Sequence, residues 1–384
     1  MQVLTIIFFL LSITGVWKPR GWRGMKAVFF YIYCSIVIIV NYIFLITGSL
    51  DLEFKNIDLE AFIDNFSLIL STFIAQKKIN CVIENRKKLI HITDSFKNSS
   101  FKLRDRQEEL IFSRFEKLAR NIFIYYFLIF FGALLIYSSD HLSVMDPPYT
   151  LPYNGWFPYN YTRSKKIYWA TCVQQIYAVY NSATIDLILD LLLPCIMCYM
   201  CGYIHILKHR FGVMTEKLQI MSENNESQEE IVYAERKMMA EWVEYHIDIL
   251  RLVRFANGIF SRVIFMQYTS SSLLLCTIAY LLSHTDPASM SFAGNLGFFF
   301  AMVIQILLPC YCADKLTFEF LDISTGIYDT NWHYLSNNIR RSVVVIIQKT
   351  HRPVMITSGY FVILSLESFI KVIKLAYTIY NVLE

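Results

Sequence analysis

Seven stretches of this chain are apolar over lengths close to the roughly 20 residues that a membrane-spanning helix requires. They cover Val28–Ile46, Leu59–Ala75, Ile122–Tyr137, Cys172–Ile206, Val263–Leu282, Phe292–Cys312 and Leu366–Leu383. Lipid offers no partner to a backbone N–H or C=O, so stretches of this kind must fold as helices that satisfy their own hydrogen bonds. The second is weakened by Asp64 and Asn65; the fourth exceeds bilayer length and contains Pro194, where a bend is expected; the sixth contains Pro309 near its end. Neighbouring helices can satisfy the carbonyls that such prolines release. Composition agrees, with 55% hydrophobic and only 17% charged residues, against about 45–50% and 25% in soluble domains.

Sidedness follows from the basic residues that flank the spans. Lys18, Arg20, Arg23 and Lys26 precede the first span, and the stretch from Lys77 to Arg120 is dense in Lys and Arg. The segment from Lys208 to Arg254 is basic though mixed with acids, and Arg340, Arg341, Lys349 and Arg352 precede the last span. The intervening connections hold few cations, and the turn from His284 to Pro287 has no Lys or Arg. The alternation places the N-terminus and the even-numbered connections in the cytosol and the C-terminus outside. Asn160-Tyr161-Thr162 is a glycosylation sequon in an outside connection; Asn98-Ser99-Ser100 and Asn225-Glu226-Ser227 match the pattern on the cytosolic side, where they would not be used.

The cytosolic segments are expected to be helical extensions. Phe101–Arg120 reads as a charged helix leading into the third span. Ser227–Ala256 reads as another, with Ile231, Ala234, Met238, Trp242, Tyr245 and Ile249 at helical spacing, and Trp332–Thr350 as a third. Their apolar faces must be buried against each other or against a neighbouring subunit. The apolar start, Leu4 to Leu11, lacks a basic region before it and small residues after it, so it reads as a retained, membrane-dipping segment rather than a signal peptide.

Seven of the nine cysteines, Cys34, Cys195, Cys198, Cys201, Cys276, Cys310 and Cys312, lie inside apolar runs and read as small packing residues. The spacing of Cys195, Cys198 and Cys201 mimics a metal site but lacks histidine or a charged second layer, so no metal and no cofactor is expected. Asp186 and Asp190 share one face of the fourth span. Each carries a cost of about 2.5–3.5 kcal/mol at a bilayer centre, so both should face the bundle interior. An internal structural network, a proton relay and an ion site are all open readings of the pair. No nucleophile motif, metal set or phosphate loop accompanies them, which argues against an enzyme. The chain also has 30 Phe and 25 Tyr. Phe66, Phe73, Phe130, Tyr137, Tyr177, Tyr180, Thr184, Phe265, Tyr268 and Thr269, spread over the second to fifth spans, are candidates for lining an apolar pocket with a few polar groups, the kind that takes a small hydrophobic ligand.

The last thirty residues are the most specific part. They read Thr357-Ser358-Gly359-Tyr360-Phe361, then Leu364-Ser365-Leu366-Glu367-Ser368-Phe369, then Ile373 through Leu383 with Tyr377 and Tyr380. This resembles the closing segment of insect odorant receptors. Gly15-Val16-Trp17-Lys18-Pro19 is similar to that family's N-terminal segment. Leu151-Pro152-Tyr153 with Trp156 and Pro158 is similar to its second outer loop, Tyr245-His246 to its entry to the fifth span, and Trp332 with Arg340 to the stretch before the seventh. Tyr380-Asn381-Val382-Leu383 departs from the ending of gustatory receptors, and the segment before span five has no room for the insertion that marks the shared co-receptor. The resemblance is therefore to a ligand-tuned odorant receptor subunit.

The resemblance implies an all-α membrane protein of seven transmembrane helices, with an anchor of helices in the cytosol. The expected division is 1–27 as the N-terminal segment, 28–330 as the ligand-binding bundle, and 331–384 as anchor helix plus pore helix. It implies a non-selective cation channel gated by a small hydrophobic odorant and assembled with the co-receptor as a hetero-oligomer, in tetrameric form. Its place would be the plasma membrane of a sensory dendrite. It places Val382 at a hydrophobic gate, with Thr378 one turn earlier and Asn381 beside it; such a constriction closes by dewetting. Partners would be the co-receptor, the odorant and the lipid bilayer, with no nucleic acid. A G-protein-coupled receptor is disfavoured by the inside N-terminus, by the absence of an NPxxY-like segment and by a chain that closes on its last helix; a transporter is disfavoured by the absence of a visible repeat.

Overall fold

The computed structural model describes residues 1–54, 59–96, 99–143, 145–147, 149–352 and 354–383, with the side chains of residues 60, 99, 382 and 383 outside the described set. Ten α-helices are described: α1 (Gln2–Ile13), α2 (Met25–Phe54), α3 (Leu59–Glu84), α4 (Arg86–Ser95), α5 (Arg106–Ser143), α6 (Lys165–Glu223), α7 (Gln228–His284), α8 (Met290–Tyr328), α9 (Asn337–Thr350) and α10 (Leu366–Leu383). Six of them, α2, α3, α5, α6, α7 and α8, are long and apolar enough to cross a membrane. The seventh apolar run is α10, whose ends match the sequence reading and whose 18 residues carry Glu367, Lys371 and Lys374.

The helices are longer than the apolar runs that announce them. α6 has 59 residues and α7 has 57, or about 85–90 Å each at 1.5 Å per residue, nearly three times the hydrocarbon thickness of a bilayer. The charged stretch before span three is continuous with it in α5, and the one before span five is continuous with it in α7. α6 runs as one helix through Pro194. α3 continues past Ala75 to Glu84. The stretch Trp332–Thr350 is not one helix: a single 3₁₀ turn, Trp332–Tyr334, precedes α9. α7 starts at a capping box in which Ser227 and Glu230 exchange hydrogen bonds with each other's backbone, satisfying two donors that a helix end leaves open.

α6 is the central post. Its most apolar window is 94% buried, and it packs against α1, α2, α3, α5, α7 and α8. The bundle has two distinct ends. At one, Arg210 of α6 holds Glu108 of α5 at 2.7 Å, Trp242 of α7 donates to the Leu207 carbonyl at 2.8 Å, and Lys208 reaches Glu319 and Asp322 of α8 at 3.1 and 2.6 Å. Glu108 is fully buried here, and the Arg210 guanidinium also stacks 4.3 Å over Tyr245. We call this the anchor end. Chain position 1 lies there too, its amino group paired with Glu116. At the other, mouth end, the connection between α5 and α6 folds back into the bundle. Tyr153 is buried between Phe44 and His141, and the Trp156 N–H donates to the Thr47 carbonyl at 2.9 Å.

A short antiparallel ribbon, β1 (Thr357–Ser358) and β2 (Val362–Ile363), pairs Ser358 with Val362 and feeds α10. Gly359 and Tyr360 both have positive φ, +62° and +69°, the geometry of a tight hairpin turn. A side chain at Gly359 would also meet the Phe265 ring at 3.1 Å. The ribbon is bound to α7: Gly359 N–H donates to the Ser261 carbonyl at 2.9 Å and Thr357 N–H to Asn257 Oδ1 at 2.8 Å. This is the structural content of the Thr357-Ser358-Gly359 motif.

Candidate functional site

An apolar cavity lies inside the membrane-spanning bundle, between α3, α5, α6 and α8. It measures about 70 Å³ and is lined by Leu68, Ser71 and Thr72, by Phe130, Ala133, Leu134 and Tyr137, by Val179, Ser182, Ala183 and Asp186, and by Phe298, Ala301 and Met302. α5 and α8 come close beside it because Gly294 and Gly297 carry no side chain. A Cβ at Gly294 would stand 3.2 Å from the Tyr137 backbone, and one at Gly297 3.3 Å from the Ala133 side chain.

Two polar layers bound the cavity. On the mouth side, Tyr137 donates to Asp64 at 2.8 Å and His141 meets the other oxygen of Asp64 at 3.0 Å. The residues that weaken the second apolar run are thus partnered: Asp64 in this layer, Asn65 with Asp51 at 3.4 Å. On the anchor side, Asp186 and Asp190 form one cluster with Lys78 and Gln305. Lys78 Nζ donates to Asp186 at 2.6 Å and to Asp190. Gln305 Nε2 donates to the second oxygen of Asp186 at 2.8 Å and to that of Asp190. Two donors from α3 and α8 therefore bridge two carboxylates on α6. The arrangement follows from their spacing, since residues 186 and 190 are one turn apart on the same face.

Below the cluster lies a second cavity of about 50 Å³, lined by Lys78, Asp190, Gln267, Tyr268, Gln305 and the two prolines Pro194 and Pro309, among others. The Tyr268 hydroxyl lies 3.0 Å from the Cys310 sulfur. Both residues are buried where α7 and α8 meet, and α10 packs on these same two helices.

Of the sequence candidates for ligand contact, Phe130 and Tyr137 line the first cavity and Tyr268 the second. Phe66 is half-buried and stacks on Phe62. Phe73, Tyr177 and Phe265 present themselves to the outside of the chain, Phe265 against Phe361 of the ribbon. Thr269 is exposed, Tyr180 and Thr184 are half-buried, and Thr184 donates to the Tyr180 carbonyl. The sequence reading did not single out Lys78, Gln305, Ser182, Phe298 or Met302. Lys78 was hidden in the basic run that begins at Lys77; the only signal for it was that two buried carboxylates demand a cation. Asn160 is exposed at the mouth end, where its side chain accepts from the Thr162 N–H at 3.0 Å. Among the described residues no group of His, Cys, Asp and Glu could hold a metal, and Cys195, Cys198 and Cys201 are buried free thiols.

α10 has two faces. Phe369, Val372, Ile373 and Ala376 pack into the core. Glu367, Lys371, Lys374, Thr378 and Asn381, at steps of three and four, are all exposed, which makes a continuous polar stripe along a mostly apolar helix. The side chain of Val382 lies outside the described residues.

A polytopic helical bundle with an internal apolar cavity, an extramembrane anchor and a half-polar last helix defines a membrane receptor, and the chain belongs to the 7tm odorant receptor family, whose model matches residues 58–377. Among similar proteins, Odorant receptor 2a of Drosophila melanogaster is 24% identical over 97% of this chain and 94% of its own length. Odorant receptor 67c of the same fly is 24% identical over 96% and 91%. The structure of the insect olfactory receptor OR5 from Machilis hrabei, in complex with eugenol, superimposes with a TM-score of 0.84 at 16% identity, over 100% of this chain and 97% of that one. The fold is thus the seven-helix fold of insect odorant receptors, with α2, α3, α5, α6, α7, α8 and α10 as the seven. The family is one of membrane receptors and not of enzymes.

Proposed function

We propose that the chain is an odorant-binding subunit of a ligand-gated, non-selective cation channel, assembled with the co-receptor into a tetramer in the plasma membrane of a sensory neuron. The observation that carries the reading is the polar stripe Glu367, Lys371, Lys374, Thr378 and Asn381 on α10, exposed along a helix whose opposite face is held by α7 and α8. A helix with such a stripe is suited to lining water. In a symmetric assembly it would face the axis, with Val382 as gate in its last turn, as the family resemblance implies. The anchor end would be cytosolic, which agrees with the basic residues around it, and the exposed apolar side chains there, Phe318, Val345 and Tyr328, would meet neighbouring subunits.

The odorant would occupy the first cavity. Its lining is apolar apart from Ser71, Thr72, Ser182, Tyr137 and Asp186, and the Ser182 hydroxyl has no partner among the described residues. That composition suits a small volatile with one hydrogen-bonding group. Such a ligand opens the pore to the extent that it binds the open state more tightly than the closed one. The eugenol complex of the OR5 receptor is a precedent for a small aromatic ligand in this fold.

The test is whole-cell recording from cells that co-express the chain with the co-receptor, under a panel of volatiles and with G-protein signalling blocked. The expected result is an odorant-evoked cation current, reduced at least tenfold in potency by Ser182→Leu or Met302→Trp. Currents that vanish when G proteins are blocked would sink the channel reading; currents insensitive to both substitutions would move the odorant out of this cavity.

A further inference from the structure

At the anchor end, α1 and the turn after it stand away from the start of α2 and leave a groove of about 590 Å³. Its walls are mostly apolar, including Leu4, Phe8, Phe9, Trp17 and Phe30. A second hollow of about 290 Å³ adjoins it, sharing Pro19, Arg20 and Trp22. The second hollow is basic: Lys18, Arg20, Arg23 and Arg86 line it against one acid, Asp94. Arg20 uses that acid, at 2.6 Å. Arg86 donates to the Lys18 carbonyl and lies 4.6 Å over the Trp17 ring. Among the described residues no carboxylate pairs with Lys18, Arg23 or Arg86, so the rim keeps three uncompensated positive charges.

Depth in the membrane connects the two hollows. The apolar run of α2 begins two residues after Lys26, so Lys18, Arg20 and Arg23 stand at the level of lipid headgroups. Trp22, 41% exposed, sits where indoles anchor at the interface. Phe9, Ile13 and Phe29, all more than half exposed, continue the apolar wall of the groove out to the surrounding acyl chains. A free anion would use the rim and leave the groove unfilled. A neutral lipid would fill the groove and leave the rim uncompensated.

We infer that this groove and rim form a binding site for one anionic phospholipid, its phosphate at Lys18, Arg23 and Arg86 and an acyl chain along α1 in the groove. Basic pockets on one side of a helical bundle select such headgroups. The site lies at the opposite end of the bundle from the mouth-side layer beside the proposed odorant cavity, and its occupancy does not depend on which odorant the chain takes.

Native mass spectrometry of the full-length receptor in detergent, titrated with defined lipids, tests this. Dioleoyl phosphatidic acid should bind as a single copy at a concentration at least tenfold below dioleoyl phosphatidylcholine, and at least tenfold below dihexanoyl phosphatidic acid. The double variant Lys18→Gln/Arg23→Gln should lose about 25-fold for the dioleoyl acid, at roughly fivefold per basic side chain, while phosphatidylcholine is unchanged. Ser12→Phe, which fills the groove and keeps the rim, should abolish the advantage of the long chains. Equal binding of the two dioleoyl lipids by the unmodified receptor would overturn the proposal, and so would dihexanoyl lipid or inorganic phosphate binding as tightly as the long-chain acid. A change of oligomer mass with Ser12→Phe, at unchanged lipid binding, would assign the groove to a neighbouring subunit instead. The comparisons within unmodified receptor decide the matter even where a variant fails to fold.

Discussion

Lys77 is exposed on the outer face of α3, its ammonium group 5.1 Å over the Phe73 ring, while Lys78, one residue and about 100° further round α3, is 3% exposed between Asp186 and Asp190. The two side chains are chemically the same and their substitutions should not be. Lys78→Met leaves two buried carboxylates without their cation, a change that costs about 3–5 kcal/mol in buried pairs. Lys77→Met removes an exposed charge and should stay within about 0.5 kcal/mol. Thermal unfolding of the two purified variants checks the contrast; equal melting points would mean that the cluster contributes nothing. The pair also shows what a linear reading can reach. Asp186 and Asp190 announced a buried network by type and spacing, whereas Lys78 lay in a basic run and was assigned to the cytosol, because hydropathy averaged over a window has no information about which side of a helix a residue takes.

Among the elements, α5 is preceded by Asp105, whose carboxylate accepts the Glu108 N–H at 2.7 Å and meets His209 at 3.1 Å. The backbone hydrogen bond from Glu108, with a smaller contribution from His209, lowers the carboxyl pKa below its usual 3.8. A group whose folded pKa is depressed stabilises the fold above its unfolded pKa and loses that contribution as pH falls through the folded value. The first turn of α5 should therefore be insensitive to pH from about 5 to 8 and loosen only below about 4. Asp105→Ala should remove a helix cap worth about 1 kcal/mol at neutral pH. Amide exchange over residues 106–112, corrected for intrinsic rate, reads both effects; protection that falls between pH 7 and 5 would refute the assignment. Helix α10 offers a second test at this scale. Thr378→Cys and Asn381→Cys should react with a water-borne thiol reagent when the channel is open, and Ala376→Cys, which faces the core, should not. Enlarging or polarising Val382 should alter gating or basal leak, and no change in either would remove it from the gate. The positions of the elements were largely legible: every apolar run became a helix. Their lengths were not, since the charged extensions of α5 and α7 continue the same hydrogen-bond ladder and polarity does not end a helix.

For the molecule as a whole, the alternation of basic residues and the path of the chain agree on one axis, with chain position 1 at the anchor end and α10 pointing to the mouth. An epitope placed before Gln2 should stain only after permeabilisation, and glycosidase treatment should shift the mobility of the receptor unless Asn160 is replaced by Gln. Staining of intact cells would invert the topology. The anchor was foreseeable from apolar faces on charged helices, and Trp242, Tyr245 and Ile249 are buried there. The layered interior was not: the two polar floors that bracket the cavity join α5 to α3 across 73 residues of sequence and α8 to α6 across 119, and nothing local encodes such a pairing.

The unbroken course of α6 has a consequence for how such chains can change in length. The helix carries Asp186 and Asp190 toward the cavity floor and Arg210 toward Glu108 in the anchor. One inserted residue between them would turn everything beyond it by about 100°, uncoupling either the floor or the anchor from its partners. Natural length variation should therefore be tolerated in the turn at residues 224–227 and in the folded-back connection at the mouth, and be excluded from the nineteen residues between Asp190 and Arg210. The same rule sets where a fluorescent protein or a ligand-sensing module could be spliced into the receptor without silencing it.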